Sequence, residues 1–219
     1  MSAPPELFAV VTTIQAPTPA LREWRRRLAE IGGRLVVAGD KKGPAAFDLP
    51  DCDFLDLDAQ RASGFALAEL LPTGHYARKN VGYLHAIRAG AACLYETDDD
   101  NAPLAAWAPR AETVAAPRRV AGTGWTNVYR QFTDDPQIWP RGFPLERLAD
   151  PVAPAEPPGA PVRAPIQQGL VNGSPDVDAV WRLTQDRPFA FAAREPVWLG
   201  AGQWCPFNTQ STWWWPAEI

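Results

Sequence analysis

The chain has 219 residues, 46% of them apolar, and carries 25 acidic against 21 basic side chains for a net charge of −4. That length supports one α/β domain with a sizeable core, and the acidic balance argues against a general nucleic-acid or membrane-surface binder. Three widely spaced cysteines, Cys52, Cys93 and Cys205, form no Cys-x-x-Cys pair, so neither a zinc site nor a disulfide framework is indicated.

Met1 to Leu7 lacks a basic segment followed by an apolar one, so no secretory signal is read there. No apolar run approaches the roughly 20 residues of a membrane span, and the simplest location is the cytoplasm. Leu7 to Ile14 is an apolar, β-rich run and reads as a buried first strand. Thr18 suits a helix N-cap with Pro19 at the first helical position. The helix then runs through Trp24 and Leu28 to Ile31, and Gly32-Gly33 ends it. Arg34 to Gly39 reads as a second strand, which completes a βαβ unit and predicts a parallel sheet. Asp53 to Leu57 is a third, short strand. His75 to Gly90 reads as a helix with Val81, Leu84 and Ile87 on one face and Gly90 as its C-cap. Ala91 to Tyr95 is the next buried strand.

At the end of that run stand Asp98-Asp99-Asp100, with Glu96 two residues before. In open α/β sheets ligands bind at the carboxyl ends of strands. Three adjacent carboxylates repel one another, and no basic residue lies within five positions on either side. A divalent cation is one counter-charge, and oxygen-only ligands favour Mg²⁺ or Mn²⁺. A solvated acidic turn is the other explanation. Arg78-Lys79-Asn80 opens the preceding helix, where cations and free amides suit an anion, although a solvated helix start has the same composition.

After Asn101 the pattern weakens. Arg141, in Trp139-Pro140-Arg141-Gly142-Phe143-Pro144, could meet a phosphate or lie in a packed loop. The proline-rich stretch 151–165 cannot be a helix or a central strand and reads as an extended surface excursion within a single domain, 1–219. Asn172-Gly173-Ser174-Pro175-Asp176-Val177-Asp178 is a turn that offers hydroxyl-binding groups and two candidate bases, and Asp176 could equally cap a short helix over Asp176–Leu183. His75 and His85 lack metal-ligand spacing. No Walker, dinucleotide-binding or nucleophile-elbow glycine motif is present. Three tryptophans, Trp213-Trp214-Trp215, precede the last residues. Either that end is buried or the chain continues in a longer protein, and a protein partner could dock there.

Together these segments resemble a known family. The segments Ala77-Arg78-Lys79-Asn80-Val81-Gly82-Tyr83-Leu84, Tyr95-Glu96-Thr97-Asp98-Asp99-Asp100-Asn101 and Trp139–Leu145 look like STELLO-like glycosyltransferases. So do Gln168–Ala179 with Arg182-Leu183-Thr184, and Pro206–Thr212. The reversibly glycosylated polypeptides, which are UDP-arabinopyranose mutases, look like more distant relatives. The resemblance covers most of the chain from Phe8 to Thr212. It implies an α/β fold of GT-A type, a Rossmann-like, mostly parallel sheet flanked by helices. By that match Asp98 and Asp100 take metal-binding DxD positions with Mn²⁺ or Mg²⁺, and Arg78 and Asn80 take donor-side positions. Asp98, Arg141 and Asn172 join the substrate-binding set, and Asp178 or Asp176 faces the acceptor. Chains of this family continue past the point where this one stops, so a continuation beyond Ile219 is expected.

The function implied is a metal-dependent transferase that moves a sugar from a nucleotide-diphosphate donor to an unknown acceptor. The alternatives are a nucleotide-sugar mutase and a non-catalytic scaffold in a carbohydrate-synthesis complex.

Overall fold

The computed structural model describes residues 7–216. The N-terminal stretch read for a targeting signal, apart from Leu7, and the terminal Ala217-Glu218-Ile219 lie outside the described residues. In chain order the elements are β1 (Leu7–Thr13), α1 (Pro19–Glu30), β2 (Arg34–Gly39), β3 (Asp53–Leu55), α2 (Leu57–Ala62), α3 (Ala66–Leu70), α4 (Lys79–Arg88) and β4 (Cys93–Thr97). There follow β5 (Thr113–Val114), β6 (Arg118–Val120), β7 (Gly124–Trp125), β8 (Ala155–Pro158), β9 (Val162–Arg163) and β10 (Ile166–Gln168). The last are α5 (Ala179–Thr184), β11 (Val197–Trp198), β12 (Gln203–Trp204) and β13 (Ser211–Trp214). By contact density they form two units, one of residues 7–110, 165–167 and 209–216, the other of 111–164 and 168–208.

The first unit is built on a six-stranded sheet in the order β10-β13-β4-β1-β2-β3. β3, β2, β1 and β4 are parallel, and β13 runs antiparallel beside β4. Side chains alternate across β1, as strand geometry requires. Leu7, Ala9 and Val11 pack with Leu21, Trp24 and Leu28 of α1. Phe8 and Val10 pack with Val36, Ala86 and Leu94 on the opposite face. Helices therefore cover both faces, and the α/β sheet read from the sequence is the one observed.

Local chemistry explains the best-read elements. The Thr18 hydroxyl accepts from the Leu21 amide, and Pro19 occupies the first helical position of α1. Gly32 takes φ +69°, a left-handed conformation that ends the helix at little steric cost.

Other boundaries move. The helix read from His75 begins with a 3₁₀ turn over Tyr76–Arg78 and becomes α-helical only at Lys79. Its inner face is not Val81-Leu84-Ile87. Lys79, Val81, Gly82 and Ala86 are buried, and Ile87 is exposed. Gly82 makes this possible, since a Cβ there would stand 2.7 Å from Val10 Cγ1. The strand read as Ala91–Tyr95 is Cys93–Thr97 instead. Ala91 and Ala92 follow the left-handed Gly90 as connection, and the polar Glu96 and Thr97 stay in the sheet because β13 pairs with them. The β3 strand stops at Leu55 because Asp56 caps α2.

The second unit has short strands around an aromatic core of Tyr129, Ile138, Trp139, Phe143, Val177, Trp181 and Phe189. Its three-stranded sheet has the order β11-β6-β8. The proline-rich stretch supplies β8 at the edge of that sheet, where a residue without an N–H costs no ladder bond.

Candidate functional site

Asp98, Asp99 and Asp100 follow Thr97 directly, at the carboxyl edge of β4, and the fold gives the three carboxylates three different environments. Asp98 Oδ1 lies 3.2 Å from Lys79 Nζ. The Asp99 carboxylate accepts the Thr13 hydroxyl at the end of β1, and its main-chain carbonyl accepts the Thr18 hydroxyl. Asp100 is exposed, and no described residue pairs with it. At the next residue, Trp24 Nε1 donates to the Asn101 carbonyl at 2.6 Å. Asp98 and Asp99 thus have separate partners and Asp100 is left to solvent, and the step is anchored to β1, α1 and α4 at once.

The helix start supplies the counter-charge that neighbouring sequence lacks. Lys79 is only 5% exposed, and its ammonium also donates to the Thr97 carbonyl at 2.9 Å and the Thr209 carbonyl at 3.4 Å. A lysine in the first turn of a helix opposes the helix dipole, so these acceptors are what hold it there. Arg78 is buried to 2% exposure and donates from Nη1 to the Ala68 carbonyl at 2.7 Å. Its Nε is buried with no hydrogen-bond partner among the described residues. Asn80 of the same triplet faces solvent.

Arg78 also neighbours Asp40, which follows β2. Asp40 accepts from the Lys41 amide at 2.7 Å, the Gly74 amide at 2.6 Å and the His75 amide at 3.0 Å. Burial acts to raise its carboxyl, but those amides and the Arg78 charge outweigh burial and hold it below the ordinary aspartate value. Glu96 goes the other way. It is fully buried, and burial lifts its carboxyl above the ordinary value although Tyr83, Lys79 and Trp214 pull it down. The Tyr83 hydroxyl donates to it. Sequence reasoning passed over Lys79 as the partner of the aspartates, and missed Thr13 and Asp40 outright. The signal for Lys79 was its helical spacing with Gly82, Tyr83 and Ala86.

The other candidates lie in the second unit. Arg141 Nε is 2.7 Å from Asp176 Oδ1, and the Arg141 amide donates to the Asp176 carbonyl at 3.1 Å. Asp178 is the N-cap of α5, which therefore starts at Ala179 and not at Asp176. One of its oxygens accepts the Trp181 amide at 2.9 Å, and the other accepts Trp139 Nε1. Asn172 accepts the Phe191 amide at 2.9 Å. So Arg141 and Asp176 are brought together, and Asp178 is tied into the aromatic core. Of the two readings of Trp213, Trp214 and Trp215, the buried one is observed: they pack into the two cores of the first unit.

A recess of about 310 Å³ lies elsewhere. It is lined by Gly33, Arg34 and Asp53 at the amino ends of β2 and β3, with Arg25, Asp51 and Cys52. Its charges are already paired, Arg25 with Asp51 and Arg34 with Asp53. The parallel sheet thus separates it from the acidic step by the length of the strands.

A parallel sheet covered by helices on both faces, with an acidic step at its carboxyl edge, has the arrangement of a GT-A-like α/β protein. Two curated proteins of Arabidopsis thaliana are similar to the chain. "Probable glycosyltransferase STELLO1" is 32% identical over 201 residues, which is 82% of this chain and 25% of that protein. "Probable glycosyltransferase STELLO2" is 32% identical over 234 residues, 94% of this chain and 29% of that protein. No family profile matches the chain. On the strength of the two relatives the chain belongs to the STELLO-like family, and it spans a quarter or slightly more of the length of the curated relatives it matches. Among the described residues no helix is long and apolar enough to cross a membrane.

Proposed function

We propose that the chain is the donor-binding part of a glycosyltransferase that uses a nucleotide-diphosphate sugar. The observation that carries this reading is the acidic step, braced by Lys79 and Thr13 so that Asp100 is left to a ligand. The names of both relatives support the reaction class. Asp98 and Asp100 would hold Mn²⁺ or Mg²⁺. Their hard oxygens fit such an ion, but no group of three or more acidic, histidine or cysteine side chains among the described residues could hold a metal. The remaining ligands would then come from the substrate's phosphates and water, as is usual for Mg²⁺ at phosphates. A cation so placed supplies charge stabilisation to the departing diphosphate. Arg78, next to Lys79, adds fixed positive charge behind the site, and Asn80 offers an amide from its exposed side.

Arg141 and Asn172 are further substrate-binding candidates, and Asp176 and Asp178 are the acceptor-side candidates, with Asp178 or Asp176 as base. One observation favours a second reading, a nucleotide-sugar-binding scaffold: both Asp178 oxygens are engaged and Asp176 is ion-paired. Titration of UDP and GDP with Mn²⁺ and with EDTA tests the donor site. Tight binding only with Mn²⁺ is expected, and equal affinity in both conditions rejects the metal bridge. Turnover of a UDP-sugar without acceptor would identify a mutase, and donor binding without any turnover a scaffold.

A further inference from the structure

The second unit carries a feature that the donor site does not use. β7 and β12 form a parallel ribbon in which Trp204 is in register with Trp125 and Gln203 with Gly124. Register partners on adjacent strands project to the same face. Gln203 is buried, its Oε1 accepting the Gly200 amide at 2.8 Å and its Nε2 donating to the Ala121 carbonyl at 3.2 Å. The two indoles project to the other face and stay exposed, Trp125 by 45% and Trp204 by 62%. The ribbon is held by Gly124 N–H donating to the Gly202 carbonyl at 2.7 Å and Thr126 N–H to the Trp204 carbonyl at 2.8 Å. Trp125 is further fixed edge-on against the buried Phe143 ring, with centroids 6.2 Å apart.

Beside Trp125 lies a recess of about 20 Å³, also lined by Asn127, Arg147 and Asp150. That volume holds one water-sized group. Asn127 donates from Nδ2 to the Ile138 carbonyl at 2.8 Å, but its Oδ1 is buried with no partner among the described residues. Leaving a buried acceptor without a donor is destabilising, and a ligand hydroxyl would relieve it. Arg147 and Asp150 at the rim, 3.4 Å apart, are half-exposed and offer further donors and acceptors.

From this juxtaposition we infer that Trp125 and Trp204 form a stacking platform for a saccharide, with the Asn127 recess taking one of its hydroxyls. A pyranose ring presents an apolar face of C–H bonds, which suits the negative face of an indole. Its equatorial hydroxyls need donors and acceptors at the edge of the aromatic surface, and those are the groups found beside Trp125. A purely apolar partner would leave the Asn127 oxygen unsatisfied and would strip water from the Arg147–Asp150 pair. The choice of a saccharide rests on the transferase reading above, in which the platform would bind the acceptor glycan.

The test is isothermal titration of the whole chain with neutral gluco-, manno- and xylo-hexasaccharides at millimolar concentration, alongside UDP with Mn²⁺. At least one hexasaccharide should bind, and Trp204→Ala should weaken it by about tenfold with UDP binding unchanged. Trp204→Phe should keep most of the affinity. Asn127→Ala, at the recess and not in the ribbon, should also weaken binding. Failure of all three hexasaccharides to bind overturns the inference, as does unchanged affinity in Trp204→Ala. A concentration-dependent dimer that Trp204→Ala dissolves would assign the face to a second copy of this chain and overturn it too. Hexasaccharide binding without UDP binding would sink the donor site and leave the platform standing; UDP binding alone would do the reverse.

Discussion

Lys79 Nζ lies 3.2 Å from Asp98 Oδ1, with the lysine side chain 6% exposed and the aspartate 42%. The ammonium is a buried brace, and the carboxylate it holds is half in water. Lys79→Met should remove the bonds to Asp98 and the Thr97 carbonyl. The expected loss is about 1–3 kcal/mol, toward the low end because solvent screens Asp98. Urea unfolding reads it as a lower midpoint at constant slope. An unchanged midpoint would mean that the ammonium does not brace the step.

Asp99 and Asp100 should separate stability from binding. Asp99→Ala loses the Thr13 hydroxyl contact and should cost about 1 kcal/mol. Asp100→Asn has no partner among the described residues to lose and should stay within about 0.5 kcal/mol of the parent. Yet it should remove most of the Mn²⁺-dependent part of UDP affinity. If Asp100→Asn binds UDP and Mn²⁺ as the parent does, Asp100 is only a solvated turn residue.

Gly82→Ala pits two terms against each other. Alanine is the better helix former by up to about 1 kcal/mol. The new methyl would stand 2.7 Å from Val10 Cγ1, so α4 or β1 must shift, and overpacking of this kind costs about 1–3 kcal/mol. A net loss in thermal stability is expected, and Val10→Ala in the same chain should recover part of it. A stabilised Gly82→Ala protein would refute the close approach of helix and sheet.

Asp40 predicts a pH dependence. Its folded carboxyl is held below the unfolded aspartate value, about 3.9, by three amides and Arg78 against the cost of burial. The native state therefore favours the ionised form. The stabilisation is present above about pH 4 and is lost as pH falls through the lower folded value. The stability gap between the parent and Asp40→Asn should be widest near neutrality and close in acid. A gap independent of pH would show that charge at Asp40 plays no part.

What could be read from the sequence was local. The Thr18-Pro19 start of α1, the alternation of β1 and the apolar run of β2 each carry their signal within a few residues, and all three elements are where that signal put them. The aspartates are also legible as a step after a strand. What settles their environment is not local. Lys79 reaches Asp98 across 19 positions and Thr13 reaches Asp99 across 86, and neither distance leaves a pattern in the chain. The inner face of α4 was misread because it is defined by a glycine and a lysine, which hydrophobic spacing does not register. The tryptophans of β13 are legible as a buried end but not as a strand, because their pairing partner lies more than a hundred residues away; Trp213 packs at a tilt against Tyr95 with centroids 4.3 Å apart.

That strand has a consequence for how the molecule assembles. Tyr95 and Ser211 share a hydrogen bond of 3.1 Å at a sequence separation of 116. β13 is the neighbour of the acid-bearing strand on the side away from β1, so the sheet cannot close around Glu96 until the whole second unit has been synthesised. Pairings of such long range are slow to form, because the closure entropy is spent before the contacts repay it. During that interval β4 is an unpaired edge, with the Tyr95 ring uncovered by Trp213. A ribosome-bound chain halted before Ser211 should therefore remain protease-sensitive at β4, even with α1, α4 and the first three strands already in place.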